Sequence, residues 1–191
     1  YDGERRRGTV GQPLPGVSVR VAGPDGKPLP AQEPGDIQIS GPNVFKGYWR
    51  MPEKTREEFT ADGWFRSGDI GQWDADGYLA IVGRAKDLII SGGYNVYPKE
   101  VELVLDQIPG VRESAVIGVP HADFGEAVTA VVVVDPAADA GSALTEAGVI
   151  ARVKAEIAGY KVPKRVHFVE DLPRNAMGKV QKAELRKQFG T

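Results

Sequence analysis

The 191-residue chain has 41% hydrophobic and 26% charged residues, a formal net charge of −2 and no cysteine. This apolar content is enough for a buried core, and the lack of cysteine excludes disulfides, thiolate metal sites and a cysteine nucleophile. The longest apolar run, at 128–134, is too short to cross a bilayer, and no leader-like segment begins the sequence, which predicts a cytoplasmic location without a membrane partner.

Short strands and turns dominate the sequence before residue 84. Alternating apolar residues predict strands at 17–21 and 36–40, and Pro52 begins a short predicted helix at 51–59. A further strand is predicted at 77–83. This pattern is typical of a small β-barrel or a β-layer.

After Lys86 the pattern changes to mixed α and β structure. Strands are predicted at 87–91, 111–119, 126–134 and 165–170, and helices at 98–107, 145–158 and 181–189. Pro98 begins the first of these helices, Gly159 ends the second, and a small polar loop is predicted at 136–143. The fold class is therefore α+β: a small β-barrel-like subdomain followed by a mobile α+β domain, in which helices flank a small sheet. We place the domain boundary at 84–86.

The charges are unevenly distributed along the chain. Residues 151–191 contain ten Lys or Arg against four Asp or Glu, whereas the first 150 residues have a net charge of −8. Such a basic region attracts polyanions, but the aromatic residues that single-strand nucleic acid binders place between their basic residues are nearly absent. A small polyanion therefore fits better than nucleic acid, and a solvated helix face is the alternative for each charge.

Three segments that join a charged residue to glycine occur in a fixed order: WFRSGD at 64–69, GRAKDLIISGGYNVYPKEVE at 83–102 and LPRNAMGK at 172–179. Together they resemble the adenylate-forming superfamily, which includes acyl-CoA synthetases, nonribosomal adenylation domains and luciferases. Segments 34–59 and 118–133 extend the resemblance over nearly the whole chain.

The resemblance implies an AMP-forming acid–thiol ligase that uses ATP, Mg²⁺ and CoA. A carboxylate and ATP give acyl-AMP and pyrophosphate, and CoA then displaces AMP to give acyl-CoA. The motif NVYPKEVE, followed by the motif LPRNAMGKVQKAEL, is most similar to the corresponding motifs of malonyl-CoA and methylmalonyl-CoA synthetases. The expected substrate is therefore malonate or methylmalonate.

The family's triphosphate loop and Thr-Glu segment are missing from this sequence. We therefore expect residues 1–83 to be the tail of a large N-terminal adenylation domain, 84–86 a hinge and 87–191 the C-terminal domain. The missing N-terminal domain is then the expected partner, and the fragment alone should be inactive.

Lys179 is the candidate catalytic residue. Negative charge crowds between the attacking carboxylate and the α-phosphate, and an ammonium on a long stem stabilises it in the transition state. By resemblance, Lys179 matches the catalytic lysine of the family's last motif and also contacts the nucleotide. Arg174 and Asn175 depart from the commoner Pro-Lys-Thr wording, which leaves the hydrogen bonds of the flanking turn open.

The resemblance also assigns nucleotide-binding, hinge and CoA-binding positions. Asp69 matches an aspartate that accepts hydrogen bonds from the ribose hydroxyls, and Arg84 matches an arginine that holds the ribose; a turn and a surface ion pair are the alternatives. Lys86 matches the hinge between an adenylating and a thioester-forming orientation. The remaining candidates line a tunnel for the pantetheine arm, for which an ordinary hairpin is the alternative: Ser91, Gly92, Gly93 and Tyr94.

Two other functions remain open. An adenylation domain that loads a carrier protein would share the first half-reaction, and a regulatory protein lysine acetyltransferase could act on an exposed Lys179. No metal site bound by side chains is expected, because His121 and His167 lie far from any carboxylate cluster in the sequence.

Overall fold

The computed structural model describes residues 5–136 and 144–190, so the predicted loop at 136–143 lies, from residue 137 onward, outside the described residues. The chain forms two compact units, Tyr1–Lys86 and Asp87–Thr191. Strands and helices occur together along the chain, which confirms the predicted mixed class.

The first unit is an antiparallel sheet of four strands in sequence order. Its elements are β1 Ser18–Ala22, β2 Gly35–Ser40, helix α1 Pro52–Glu58, β3 Phe65–Trp73 and β4 Leu79–Arg84. The order β1-β2-β3-β4 describes an open layer, so of the two architectures that the sequence left open, the layer is formed and not a closed barrel, as far as the described part of the chain shows.

Alternating residues build the small core of the first unit. Val21 and Ile37 are cross-strand partners of β1 and β2, and both pack with Leu79 in one buried cluster. On the other face, Arg20 donates a hydrogen bond to the buried Gln38 side chain at 2.7 Å and pairs with Asp62 at 2.9 Å. One face of the sheet is thus apolar, and the other carries a polar network.

The second unit is a five-stranded sheet with helices. Its elements are β5 Ile89–Ser91, β6 Tyr94–Val96, α2 Pro98–Leu105, β7 Val111–His121, β8 Gly125–Val134, α3 Glu146–Glu156, β9 Arg165–Val169 and α4 Lys182–Phe189. The strand order is β6-β5-β8-β7, and β9 runs parallel to β8. In the described part of the chain β7 pairs only with β8 and is therefore an edge strand.

Strand β8 is buried on both faces along most of its length, which explains its largely apolar sequence. Val128 and Val132 pack on one side in a cluster that includes residues of α2 and α3, whereas Val131 and Val133 pack on the other side with Leu185 of α4. The helices therefore cover both faces of the sheet. No helix among the described residues is long and apolar enough to span a membrane.

Candidate active site

Two sequence-predicted nucleotide ligands are brought together in the first unit. Asp69 of β3 and Arg84 of β4 are cross-strand partners, and the Arg84 Nε lies 2.8 Å from the Asp69 Oδ1. The Asp69 side chain is about a fifth exposed, whereas half of the Arg84 side chain reaches solvent. The two side chains form the ion pair that was the alternative to a ligand role, and a diol could still be held by the second carboxylate oxygen and the guanidinium N–H groups.

The segment proposed as the hinge lies between two ion pairs, one in each unit. Lys86 is exposed and sits in a 3₁₀ turn at Ala85–Asp87. Arg84 is paired within the first unit, and Asp87 Oδ1 accepts a hydrogen bond at 2.8 Å from Arg186 of α4, within the second unit. Only Ala85 and Lys86 therefore lie between residues that are fixed by their own unit.

The candidate CoA-binding segment forms a β-hairpin between β5 and β6. Gly92 and Gly93 have φ of 58° and 82°, which is the pattern of a two-residue turn that favours glycine at both positions. Ser91 is buried and pairs with Tyr94, while the two glycines and Tyr94 are exposed. The tip of the hairpin thus presents backbone and one aromatic ring to solvent, and the Ser91 side chain points into the unit.

Tyr94 does not belong to the core. Its side chain is 60% exposed, and its ring stacks on Tyr160 with centroids 4.8 Å apart. The neighbouring Lys161 is held by Glu100 at 2.6 Å. Burial alone would lower the pKa of Lys161, but the hydrogen bonds and charge interactions with Glu100 and Tyr160 together outweigh it, and the pKa is raised. Lys161 therefore stays charged beside the aromatic pair.

Lys179 lies on a tight turn between β9 and α4, and its side chain is exposed. The Asn175 N–H donates to the Lys179 carbonyl at 3.0 Å, and the Asn175 Oδ1 accepts from the N–H groups of Met177 and Lys179, each at 3.0 Å. Gly178, with φ of 77°, permits the turn to close. In the described part of the chain no carboxylate pairs with the Lys179 ammonium.

The turn is tied to the sheet by Arg174. Its Nη1 donates to the Gly178 carbonyl at 2.8 Å, and its Nη2 pairs with the Glu113 carboxylate on β7. Sequence reasoning missed Glu113, because nothing in its local pattern indicates a contact with a turn 61 residues away. In the sequence, Arg174 stands out only as a departure from the commoner motif.

The two histidines have structural surroundings. His121 Nδ1 accepts the N–H of Asp123 at 3.1 Å and its ring lies 4.9 Å from Phe124, whereas His167 stacks on Phe189 at 4.3 Å. No group of three or more potential metal ligands occurs among residues 5–136 and 144–190.

Comparisons with known proteins agree with this arrangement. The family model described as AMP-binding enzyme C-terminal domain matches residues 100–179, and the model described as AMP-binding enzyme matches residues 1–49. Feruloyl-CoA synthase from Amycolatopsis sp is 50% identical over 183 residues, and malonate–CoA ligase from Arabidopsis thaliana is 42% identical over 194 residues. These alignments cover 96% and 98% of this chain but only 36% and 31% of the relatives.

A solved structure gives the same result. The crystal structure of ATP-bound MatB from Rhodopseudomonas palustris is 58% identical, with a TM-score of 0.92, and the match covers 100% of this chain and 37% of that chain. The chain thus spans about a third of the length of the relatives that it matches. The predicted resemblance is confirmed, and the chain belongs to the AMP-binding, adenylate-forming enzyme family, where it corresponds to the C-terminal portion.

Proposed function

We propose that the chain is the C-terminal portion of an ATP-dependent acyl-CoA synthetase that forms acyl-AMP and then acyl-CoA. The observation that carries this proposal is the exposed ammonium of Lys179, which pairs with no carboxylate among the described residues and lies on a turn shaped by hydrogen bonds. An unpaired lysine on an ordered turn suits a group that must meet incoming negative charge. The Asp69–Arg84 pair is the corresponding candidate for the ribose of the nucleotide.

In the first half-reaction, a substrate carboxylate oxygen attacks the α-phosphorus of ATP and the bond to pyrophosphate breaks. Lys179 would stabilise the charge shared by the carboxylate and the α-phosphate. In the second half-reaction, the CoA sulfur attacks the acyl carbon and AMP leaves. The exposed hairpin at Gly92 and Gly93 would then guide the pantetheine arm, since glycine leaves the backbone accessible.

A change of domain orientation at Lys86 would let one small domain serve both half-reactions. Lys86 lies in a short segment between the fixed residues Arg84 and Asp87, and such element-terminal positions are where hinges absorb backbone rotation. In one orientation Lys179 would face the nucleotide, and in the other the hairpin would complete the thiol path.

Malonate or methylmalonate is the proposed acid. The support is the local wording of residues 95–102 and 172–185 and the similarity to malonate–CoA ligase from Arabidopsis thaliana. The feruloyl-CoA synthase is at least as similar over this portion, so overall similarity of this portion does not distinguish between enzymes named for different acids. An acid assay is therefore required to choose the substrate.

The test uses the intact enzyme with malonate, methylmalonate and ferulate as competing acids and measures acyl-CoA formation. Lys179→Ala should slow adenylation by about 10²–10³-fold, the cost of losing one preorganised charge-stabilising group, and should spare thioester formation from supplied acyl-AMP. Lys187→Ala, which removes an exposed lysine paired with Glu184, is the matched control. Equal loss of both half-reactions in Lys179→Ala would contradict the alternation of domains.

The same intact enzyme can be used to test two alternative functions, loading of a carrier protein and regulation by acetylation of Lys179. Transfer of the acyl group to a carrier protein in place of CoA would identify a carrier-loading adenylation domain. Exposure of Lys179 also fits modification by a lysine acetyltransferase, which would neutralise the ammonium and block adenylation. A mass increase on Lys179 after incubation with such an enzyme and an acetyl donor would identify that regulation.

A further inference from the structure

We propose that Arg174 and Glu113 are positioning residues, which hold the turn that carries Lys179 in the orientation needed for adenylation. This inference rests on the catalytic role proposed above for Lys179. It assigns a function to Arg174, at which the motif departs from the commoner Pro-Lys-Thr sequence, and to Glu113, which no local sequence pattern indicates.

The Arg174 guanidinium joins two parts of the second unit. Its Nη1 binds the carbonyl oxygen of Gly178, the residue directly before Lys179, and its Nη2 binds the carboxylate of Glu113. The planar guanidinium fixes the angle between these two contacts, which a lysine ammonium would not do. The backbone next to Lys179 is therefore oriented by a strand of the sheet.

The Glu113 end of this connection is well anchored. Glu113 is the partner of Val133 in the β7–β8 ladder, and its side chain is only about a quarter exposed. Arg112 contacts the same carboxylate at 3.8 Å and Asp171 at 3.4 Å, so a second arginine links β7 to the segment that precedes the turn. Glu113 thus offers a fixed point against which the turn is held.

Asn175 and Arg174 have separable effects on the turn. The Asn175 side chain closes the turn locally by accepting the N–H groups of Met177 and Lys179. Those bonds set the shape of the turn, but they do not connect it to the sheet. Leu172 and Val180, at either side of the turn, pack against the sheet, and among the described residues the polar link between the turn itself and the sheet is the contact of Arg174 with Glu113.

Loss of the Arg174–Glu113 pair should displace Lys179 without greatly lowering the stability of the fold. The Arg174 and Glu113 side chains are 38% and 26% exposed, and ion pairs with such access to water contribute little to stability. A displacement of about 1 Å at a catalytic group, in contrast, can slow a reaction by about 10²-fold. A kinetic effect without unfolding is therefore the signature of positioning.

The experiment compares Arg174→Ala, Glu113→Ala and the double variant in the intact enzyme, with Lys179→Ala as reference. Arg152→Ala, which removes an exposed arginine of α3, is the matched control. Adenylation is followed by pyrophosphate release and thioester formation by consumption of supplied acyl-AMP. We expect each single variant to lower the kcat of adenylation by about 10- to 100-fold with little change in KM, and to spare thioester formation.

Two further readouts separate positioning from a general structural role. The double variant should be no slower than Arg174→Ala, because both substitutions break the same connection. Amide hydrogen exchange at Gly178 and Lys179 should accelerate in Arg174→Ala while the amides of β8 keep their protection. Arg174→Lys should rescue adenylation only partly, since a single ammonium cannot hold both partners at a fixed angle.

The outcomes are distinguishable. If Lys179→Ala stops adenylation but Arg174→Ala changes it by less than about twofold, the positioning proposal is wrong and the proposed function stands. Equal losses of both half-reactions in Arg174→Ala would also overturn positioning, in favour of a structural role. If Lys179→Ala itself leaves adenylation unchanged, the catalytic assignment fails, and the positioning proposal fails with it.

Discussion

Glu102 should be a main contributor to the stability of the second unit, although it lies on none of the proposed binding surfaces. This residue of α2 is only 7% exposed. Its carboxylate accepts the Val116 N–H at 3.0 Å and the Lys182 ammonium at 2.6 Å, so it links α2 to β7 and to α4. Glu102→Ala removes both contacts at once.

The expected loss follows from these two contacts. A hydrogen bond to a charged group contributes about 1.5–3 kcal/mol, and a buried N–H left without an acceptor costs about 1–3 kcal/mol. Breaking a buried ion pair by removing one partner costs about 3–5 kcal/mol in total. Because the Lys182 side chain is 18% exposed and can reach water, we expect a value near the lower end, about 3 kcal/mol.

Urea unfolding of the chain with two spectroscopic probes measures this loss. The three tryptophans, at positions 49, 64 and 73, all lie in the first unit, whereas α2, α3 and α4 lie in the second. Far-UV circular dichroism of the helices should therefore show an earlier transition in Glu102→Ala, while tryptophan fluorescence should keep the wild-type midpoint.

Two variants serve as controls for this prediction. Glu184→Ala removes an exposed partner of Lys187 on α4 and should change stability by no more than about 0.5 kcal/mol. Glu102→Gln keeps an acceptor for the Val116 N–H and should fall between alanine and the wild type. A loss of less than about 1 kcal/mol in Glu102→Ala would refute the reasoning, because the carboxylate would then not be stabilising.

Two further predictions concern the acid stability of the first unit and the proposed CoA path. The hydrogen bond from Arg20 lowers the pKa of Asp62 from 3.8 to about 2. This carboxylate therefore stabilises the first unit above about pH 3.8, and its contribution is lost as the pH falls toward 2. Asp62→Asn should remove that part of the acid sensitivity of the unfolding transition monitored by tryptophan fluorescence, and an unchanged dependence of this transition on acid pH would contradict the prediction. Gly93 has φ of 82° and open space where a Cβ would lie, and Gly93→Ala should slow thioester formation and spare adenylation. Gly26 also has a positive φ, of 77°, and equally open surroundings, and Gly26→Ala should affect neither half-reaction. Equal rates in the two variants would exclude the hairpin as the CoA path.

Much of the second unit could be predicted from local sequence, because its signals agree with its burial. Pro98 begins α2 as expected, and the apolar run at 128–134 lies in β8, where both faces are covered. Strand β3 was missed because its Ser-Gly-Asp segment reads as a turn, and in the structure Gly68 has φ of 74° within the strand. Local glycine signals therefore outweighed a pairing that only the neighbouring strands make favourable.

The residues of the candidate site could be predicted from short motifs, but their contacts could not, because the contacts join distant parts of the chain. The resemblance marked Asp69 and Arg84 separately, and their cross-strand pairing depends on the register of β3 and β4. The contact of Arg174 with Glu113 joins residues 61 positions apart, and no periodicity or turn signal encodes it. Short motifs identify the groups that meet a ligand, whereas the groups that orient them come from distant parts of the chain.

The side of β7 that pairs with no strand in the described part of the chain gives the Glu102 carboxylate a second role. An unpaired strand edge offers backbone N–H and C=O groups to any other extended chain, and β7 is eleven residues long with a buried apolar centre. By occupying the Val116 N–H, Glu102 blocks the middle of that edge against strand addition. Loss of this carboxylate would therefore leave the Val116 N–H without an acceptor at the middle of the edge, where only the packing of the helices would then keep another extended chain from adding to β7.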